Sequence, residues 1–128
     1  MITLSLLKFL EDSGFGKIDK SLFWQKMTLD RKGIYISDVG EGLVRGRRRA
    51  QSYILHARGD TDIESRKILE EVVDFLNNSY EVCSLPAVPP ASDKKYDNIT
   101  IMPVSSITNV GLDGNNRLVF SATGTIYY

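Results

Sequence analysis

The chain predicts an α+β domain, an antiparallel or mixed β-sheet with two helices packed on one face and a projecting β-hairpin. Three observations predict it. Residues 2–13 and 61–78 repeat apolar side chains at helical spacing, while residues 33–39, 50–58 and 117–128 alternate apolar and polar as half-buried strands do. The helical and strand segments are interleaved without the strand–helix alternation of a parallel sheet. At 128 residues, 42% of them hydrophobic, the chain holds one core, so a single domain spanning residues 1–128 is expected.

The first helix carries its stripe on Ile2, Leu6, Phe9 and Leu10, with Leu7 beside them, and Gly14 and Gly16 supply the stop. Leu22-Phe23-Trp24 reads as a buried plug in a loop or a short strand. A hairpin over residues 33–58 follows. The second helix starts at Thr61-Asp62-Ile63-Glu64, a capping box: the threonine hydroxyl is expected to accept an N–H three residues on, and Glu64 to reach back to the threonine N–H. Ile68, Leu69, Val72, Val73 and Leu76 form its apolar face; Lys67, Glu70, Glu71 and Asp74 face water. Tyr80–Leu85 reads as a short strand, and Pro86–Pro90 as a stiff extended connection. Residues 96–110 read as a long strand that Pro103 confines to an edge or a bulge. Asp113–Asn116 is a turn. The last strand, residues 117–128, sends Leu118, Phe120, Ala122, Gly124, Ile126 and Tyr128 to one face and Arg117, Ser121, Thr123, Thr125 and Tyr127 to the other.

Charge is balanced overall, with 16 bases and 16 acids, which argues against a dedicated nucleic-acid binder. Four of those bases, Arg45, Arg47, Arg48 and Arg49, nevertheless crowd the hairpin connection, with Gly42 before them and Gly46 among them. Arginine's planar fork suits bidentate pairing with carboxylate or phosphate, so these four are the candidate interface residues, facing a neighbouring subunit, another protein or DNA. The bland alternative is a hairpin edge kept from aggregating by its charge.

Catalytic and metal chemistry find little support. His56 is the only histidine and lies mid-strand, opposite the Tyr53/Leu55/Ala57 face; Cys83, the only cysteine, reads as a small buried hydrophobe. Helix capping accounts for Asp62 and Glu64, which with Asp60 would otherwise suggest a cation site. Gly40–Gly46 echoes a phosphate loop, but a strand rather than a helix follows it. No catalytic, metal or cofactor-binding residues are therefore expected. The N-terminal apolar run is broken by Lys8 and lacks a cleavage site, and no run reaches spanning length; a soluble protein of a reducing cytoplasm is expected.

The order of these patterns resembles the tail-terminator proteins of long-tailed siphovirus bacteriophages, also called minor tail or minor capsid proteins. The resemblance runs through Leu6-Leu7-Lys8-Phe9-Leu10-Glu11-Asp12-Ser13-Gly14-Phe15-Gly16, the Arg45–Arg49 arm leading into Gln51-Ser52-Tyr53, and Val73-Asp74-Phe75-Leu76-Asn77-Asn78. It continues through Val82-Cys83-Ser84-Leu85-Pro86 and Arg117-Leu118-Val119-Phe120-Ser121-Ala122-Thr123-Gly124. It implies a non-enzymatic, cofactor-free subunit that assembles as a homo-oligomeric ring, a hexamer, on the tail tube protein. The ring would end tube polymerisation and meet the head connector or neck protein, with passing contact to DNA in the channel and none to membrane. The protein would be built in the host bacterial cytoplasm and end at the head–tail junction of the virion. Another neck or head-completion protein, or a small nucleic-acid-binding module using the arginine arm, are the competing readings.

Overall fold

The computed structural model describes residues 1–128 with the exception of Arg47, Asn115 and the side chains of residues 41–45. Along the chain come α1 (Ile2–Asp12), β1 (Leu22–Trp24), β2 (Gly33–Arg45), β3 (Arg48–Arg58), α2 (Asp62–Asn77), β4 (Ser84–Leu85), β5 (Tyr96–Asp97), β6 (Thr100–Ile101), β7 (Thr108–Leu112) and β8 (Leu118–Tyr127). The main sheet has six strands in the order β1-β2-β3-β8, with β6 and β7 both lying along the far side of β8; β4 and β5 pair separately. Leu22-Phe23-Trp24 is a strand, parallel to β2, which makes an otherwise antiparallel sheet mixed.

Register lines carry the core across the sheet. Ile34, Ala57 and Phe120 align, as do Ile36, Leu55 and Ala122, and all six are buried in one cluster with Leu6, Leu7 and Leu10 of α1 and Leu69, Val72 and Leu76 of α2. Both helices therefore cover the same face. The residues between them in sequence, Tyr35, His56 and Ser121, align on the other face and stay half-exposed. A period of 2 in the strands and 3.6 in the helices is enough to build this two-layer core.

The hairpin is the middle of the sheet. β3 pairs with β8 from Ala50 to Ala57, and Arg49 and Tyr128 exchange two further backbone bonds at 2.7 and 2.9 Å, so β8 flanks β3 as far as Arg49. Ladder pairing, not length, decides how far the hairpin projects.

Both helix ends are closed as their sequences require. Past α1, Phe15 N–H reaches the Leu10 carbonyl at 3.1 Å and Gly14 takes φ +92°, the left-handed exit that glycine adopts without steric cost. Thr61 Oγ1 accepts from Glu64 N–H at 3.1 Å, as the capping box predicts, but Glu64 Oε2 accepts from Asp60 N–H at 3.2 Å, one residue earlier than expected. The box is displaced because Ser65 is buried and its Oγ already accepts from Gly59 N–H at 2.7 Å, which pulls the entering backbone over the first turn.

Three other expectations change. Tyr80–Cys83 turn out of α2, with Val82 N–H on the Ser79 carbonyl, so the strand is only Ser84–Leu85. Pro86–Pro90 does not stay extended: Val88 and Ser92 exchange backbone bonds at 3.0 and 2.9 Å and close a turn. The run 96–110 is broken into β5, β6 and the start of β7. Pro103 does sit on the sheet edge as expected, and Met102 and Ser105 N–H groups bond the Thr125 and Thr123 carbonyls around it.

Two polar arrangements lock the layers. Thr3 of α1 donates to Asp38 of β2 at 2.6 Å and accepts from Trp24 Nε1 at 2.9 Å, while Gln25 bonds Asp38 through both its amide nitrogen and its amide oxygen. Across β3 and β8, the ring of Tyr53 lies against Gly124; a Cβ there would collide with the tyrosine hydroxyl and ring. The Tyr53 hydroxyl is buried without a hydrogen-bond partner, so burial alone pushes its pKa well above the ordinary value. Gly124→Ala should cost about 1–3 kcal/mol in urea unfolding through overpacking. Tyr53→Phe should be neutral or stabilising in the same measurement, because it removes a polar group that gains nothing from burial.

Candidate interaction site

The tip is shaped by glycine. Between Val39↔Ser52 and Leu43↔Ala50 the β2–β3 register shifts, with three residues of β2 opposite one of β3. Gly40 at φ +66° and Gly46 at φ +61° take left-handed conformations with open space around them. This bulge bends the ladder just before the arginines.

The two arginines of the tip whose side chains are described, Arg48 and Arg49, do not share one environment. Arg48 turns back onto the body: its Nη2 donates to the Asn98 carbonyl at 2.6 Å and the Tyr127 carbonyl at 3.2 Å, and its guanidinium sits 6.0 Å from the Tyr127 ring centre. Arg49 is exposed, its backbone fixed by Tyr128. The side chain of Arg45 and the whole of Arg47 lie outside the described residues. Carbonyls satisfy donors without neutralising charge, so Arg48 stays a full cation held in place.

A second cluster was not foreseen. Arg58, 5% exposed, has Nη1 3.4 Å from the Asp113 carboxylate, and the same carboxylate receives Arg117 Nε at 3.2 Å and Arg117 N–H at 2.9 Å. Arg58 also donates to the carbonyls of Arg31, at 3.1 Å, and Thr28; Arg117 donates to that of Leu29. Sequence reasoning took Asp113 for a turn residue and placed Arg117 on the polar face of the last strand. The spacing of four across a glycine turn was the available signal. The donors are taken by carbonyls and a carboxylate, so the cluster is a clamp joining the end of β3, the β7–β8 turn and the loop before β2.

The remaining candidates are spread apart. His56 stacks on Tyr35, with ring centres 4.3 Å apart and planes 9° from parallel, on the uncovered face of the sheet. Cys83 is exposed, contrary to the expectation of burial, because the chain leaves α2 through a turn and not along a strand. Asp60 is held by Lys32 at 2.7 Å, a bond that lowers its pKa, and Glu64 is drawn to the backbone at the helix entry. Among the described residues no group of three or more His, Cys, Asp or Glu stands close enough to hold a metal ion. The uncovered face bears an open groove lined by Val39, Ser52, Ile54, Met102, Pro103 and Thr125.

Compared with known proteins, the chain matches no family model and no curated sequence. Its site is therefore defined by its own geometry: a bent, arginine-bearing tip at one end and a buried charge clamp at the other.

Removing Asp113 should expose the clamp's role. Asp113→Ala leaves the Arg58 guanidinium buried without its counter-charge and should cost about 3–5 kcal/mol, read as a drop in the thermal midpoint; Asp30→Ala, at an exposed pair, should shift it little. His56 supplies a pH dependence. Burial lowers its pKa below the ordinary value, so the unfolded chain takes up the proton first as pH falls. Stability should be flat above about pH 7 and fall as pH drops through and below 6.5, ahead of most carboxylates. His56→Gln should remove that early loss in pH-dependent urea titrations.

Proposed function

We propose that the protein is a structural subunit of a siphovirus tail that assembles as a ring, six subunits by its family resemblance, on the end of the tail tube. There it ends tube polymerisation and presents the joining surface to the head connector, at the head–tail junction of the virion. The observation that carries this reading is the arginine tip. Arg48 is fixed on backbone carbonyls and Arg49 stands in solvent, and among the described residues neither has an acidic partner. A fixed Arg48 and an exposed Arg49 with no acidic partner among the described residues fit an acidic surface on a neighbouring subunit or on the tube, or the phosphates of DNA passing through the ring. The chain's zero net charge weighs against a free-standing nucleic-acid module, since a ring lets each copy supply its neighbour's complement. Among the described residues no helix is long and apolar enough to cross a membrane.

Replacing Arg45, Arg47, Arg48 and Arg49 with alanine should leave the fold standing. An exposed charge such as that of Arg49 contributes about 0–1 kcal/mol, and the Arg48 bonds about 1 kcal/mol. Ring assembly or infectivity in a phage complementation assay should instead be lost. A folded quadruple variant that builds normal, infectious tails would refute the role of the tip. Salt-sensitive retention of nucleic acid by the isolated protein, without rings, would favour the nucleic-acid reading.

A further inference from the structure

Asn98 through Leu112 contains no charged residue, fifteen positions in a chain that is 25% charged. This segment is one edge of the main sheet: β6, the stretch around Pro103 and β7 follow one another along β8, which is the only strand partner of β7 among the described residues. Sheet edges ordinarily carry charge, because an unpaired row of N–H and C=O groups is a template for another strand. Here Met102, Val110 and Leu112 are 37, 57 and 64% exposed. The register shift between Asn109 and Gly111 leaves Val110 outside the pairing with β8 and in solvent. Beside the edge, Ile63 (82% exposed), Arg66, Lys67 and Glu70 of α2 wall a groove that Phe120 lines.

The other edge of the same sheet is its counterpart in direction and charge. β1 and β2 run parallel to each other and to β8, so both run antiparallel to β7. β1 is Leu22-Phe23-Trp24, again uncharged, and it is met on its outer side only at Leu22, by Ile18. The segment that carries it, residues 17–32, has five cations and two acids, and Lys17, Lys20 and Lys26 are exposed and in no salt bridge among the described residues. α2, alongside the far edge, has five acids and two cations, with Asp62, Glu71 and Asp74 exposed and in no salt bridge among the described residues.

We propose that the Asn98–Leu112 edge receives the β1 edge of a second copy of this chain, antiparallel, with the basic 17–32 segment of one copy against the acidic α2 of the next. The inference rests on the ring reading and names its surface. Each copy offers one edge of each kind, so the contact is heterologous and repeats until rotation closes it. Direction decides in its favour: a copy moved sideways across the sheet, without being turned over, already presents β1 antiparallel to β7.

Sedimentation velocity tests this on the whole chain, with Val110→Lys/Leu112→Lys altering one edge, Lys17→Glu/Lys20→Glu/Lys26→Glu the other, and Tyr80→Lys as an exposed control away from both. All the substituted side chains are exposed, so melting should match the wild type. The wild type and the control should form closed oligomers, and each edge variant alone should associate at least tenfold more weakly. An equimolar mixture of the two edge variants should form one-to-one dimers and no rings, since one intact edge of each kind remains. Rings formed equally well by either folded edge variant overturn the edge pairing and leave the ring reading standing. A wild type that is monomeric both free and on tail tubes overturns both. A wild type that is monomeric in solution but binds tubes through the Asn98–Leu112 edge puts tube protein there and overturns the second copy as occupant.

Discussion

Arg58 brings a guanidinium into the interior at the end of the central strand, and the chain around it is arranged to make that charge tolerable. An unpaired buried ion costs several kcal/mol even after relaxation. Here Asp113 supplies the counter-charge and the carbonyls of Thr28 and Arg31 take the remaining donors. Those partners come from two different loops. The loop before β2 must curl so that its carbonyls point inward, and the β7–β8 turn must bring its aspartate under β3. Once both conditions hold, Leu29 packs over Gly114, Arg117 reaches the Leu29 carbonyl, and β1 is delivered beside β2. Much of the sheet's outline is set by one cation that has to be surrounded.

What could be read from the sequence follows the range of the physics involved. The helices, the two hairpin strands and the inward face of β8 are written in local periodicity, and they stand as read, whereas the long strand expected over 96–110 is broken into β5, β6 and the start of β7. Thr61 capping α2 is also local. Pro103 at an edge was legible because proline's missing donor is a property of one residue. The failures lie where backbone bonds across a short turn overrode the pattern of side chains. Pro86–Pro90 closes a turn because Val88 and Ser92 bond across it, and Cys83 is exposed because α2 unwinds through a turn before β4.

The interaction site was half legible. An arginine cluster between strand patterns is visible in any reading of residues 42–58, but its division is not. Arg48 returns to the body because the Asn98 carbonyl, fifty residues away, lies within reach of it, and nothing near position 48 announces that contact. The Arg58–Asp113–Arg117 clamp was missed for the same reason. Each member looks ordinary in its own neighbourhood, a strand end, a turn residue and a strand start, and only the fold brings the three together.

The bonds of Arg48 to two carbonyls also change the thermodynamics of anything that meets the hairpin tip. A free arginine must give up rotamer freedom when a partner immobilises it, a loss of about 0.5–1.5 kcal/mol for each such side chain. Arg48 has already given up that freedom in folding, with its charge intact. An incoming carboxylate or phosphate therefore finds one guanidinium oriented in advance, and the entropy of ordering it belongs to the folding of the subunit and not to its association.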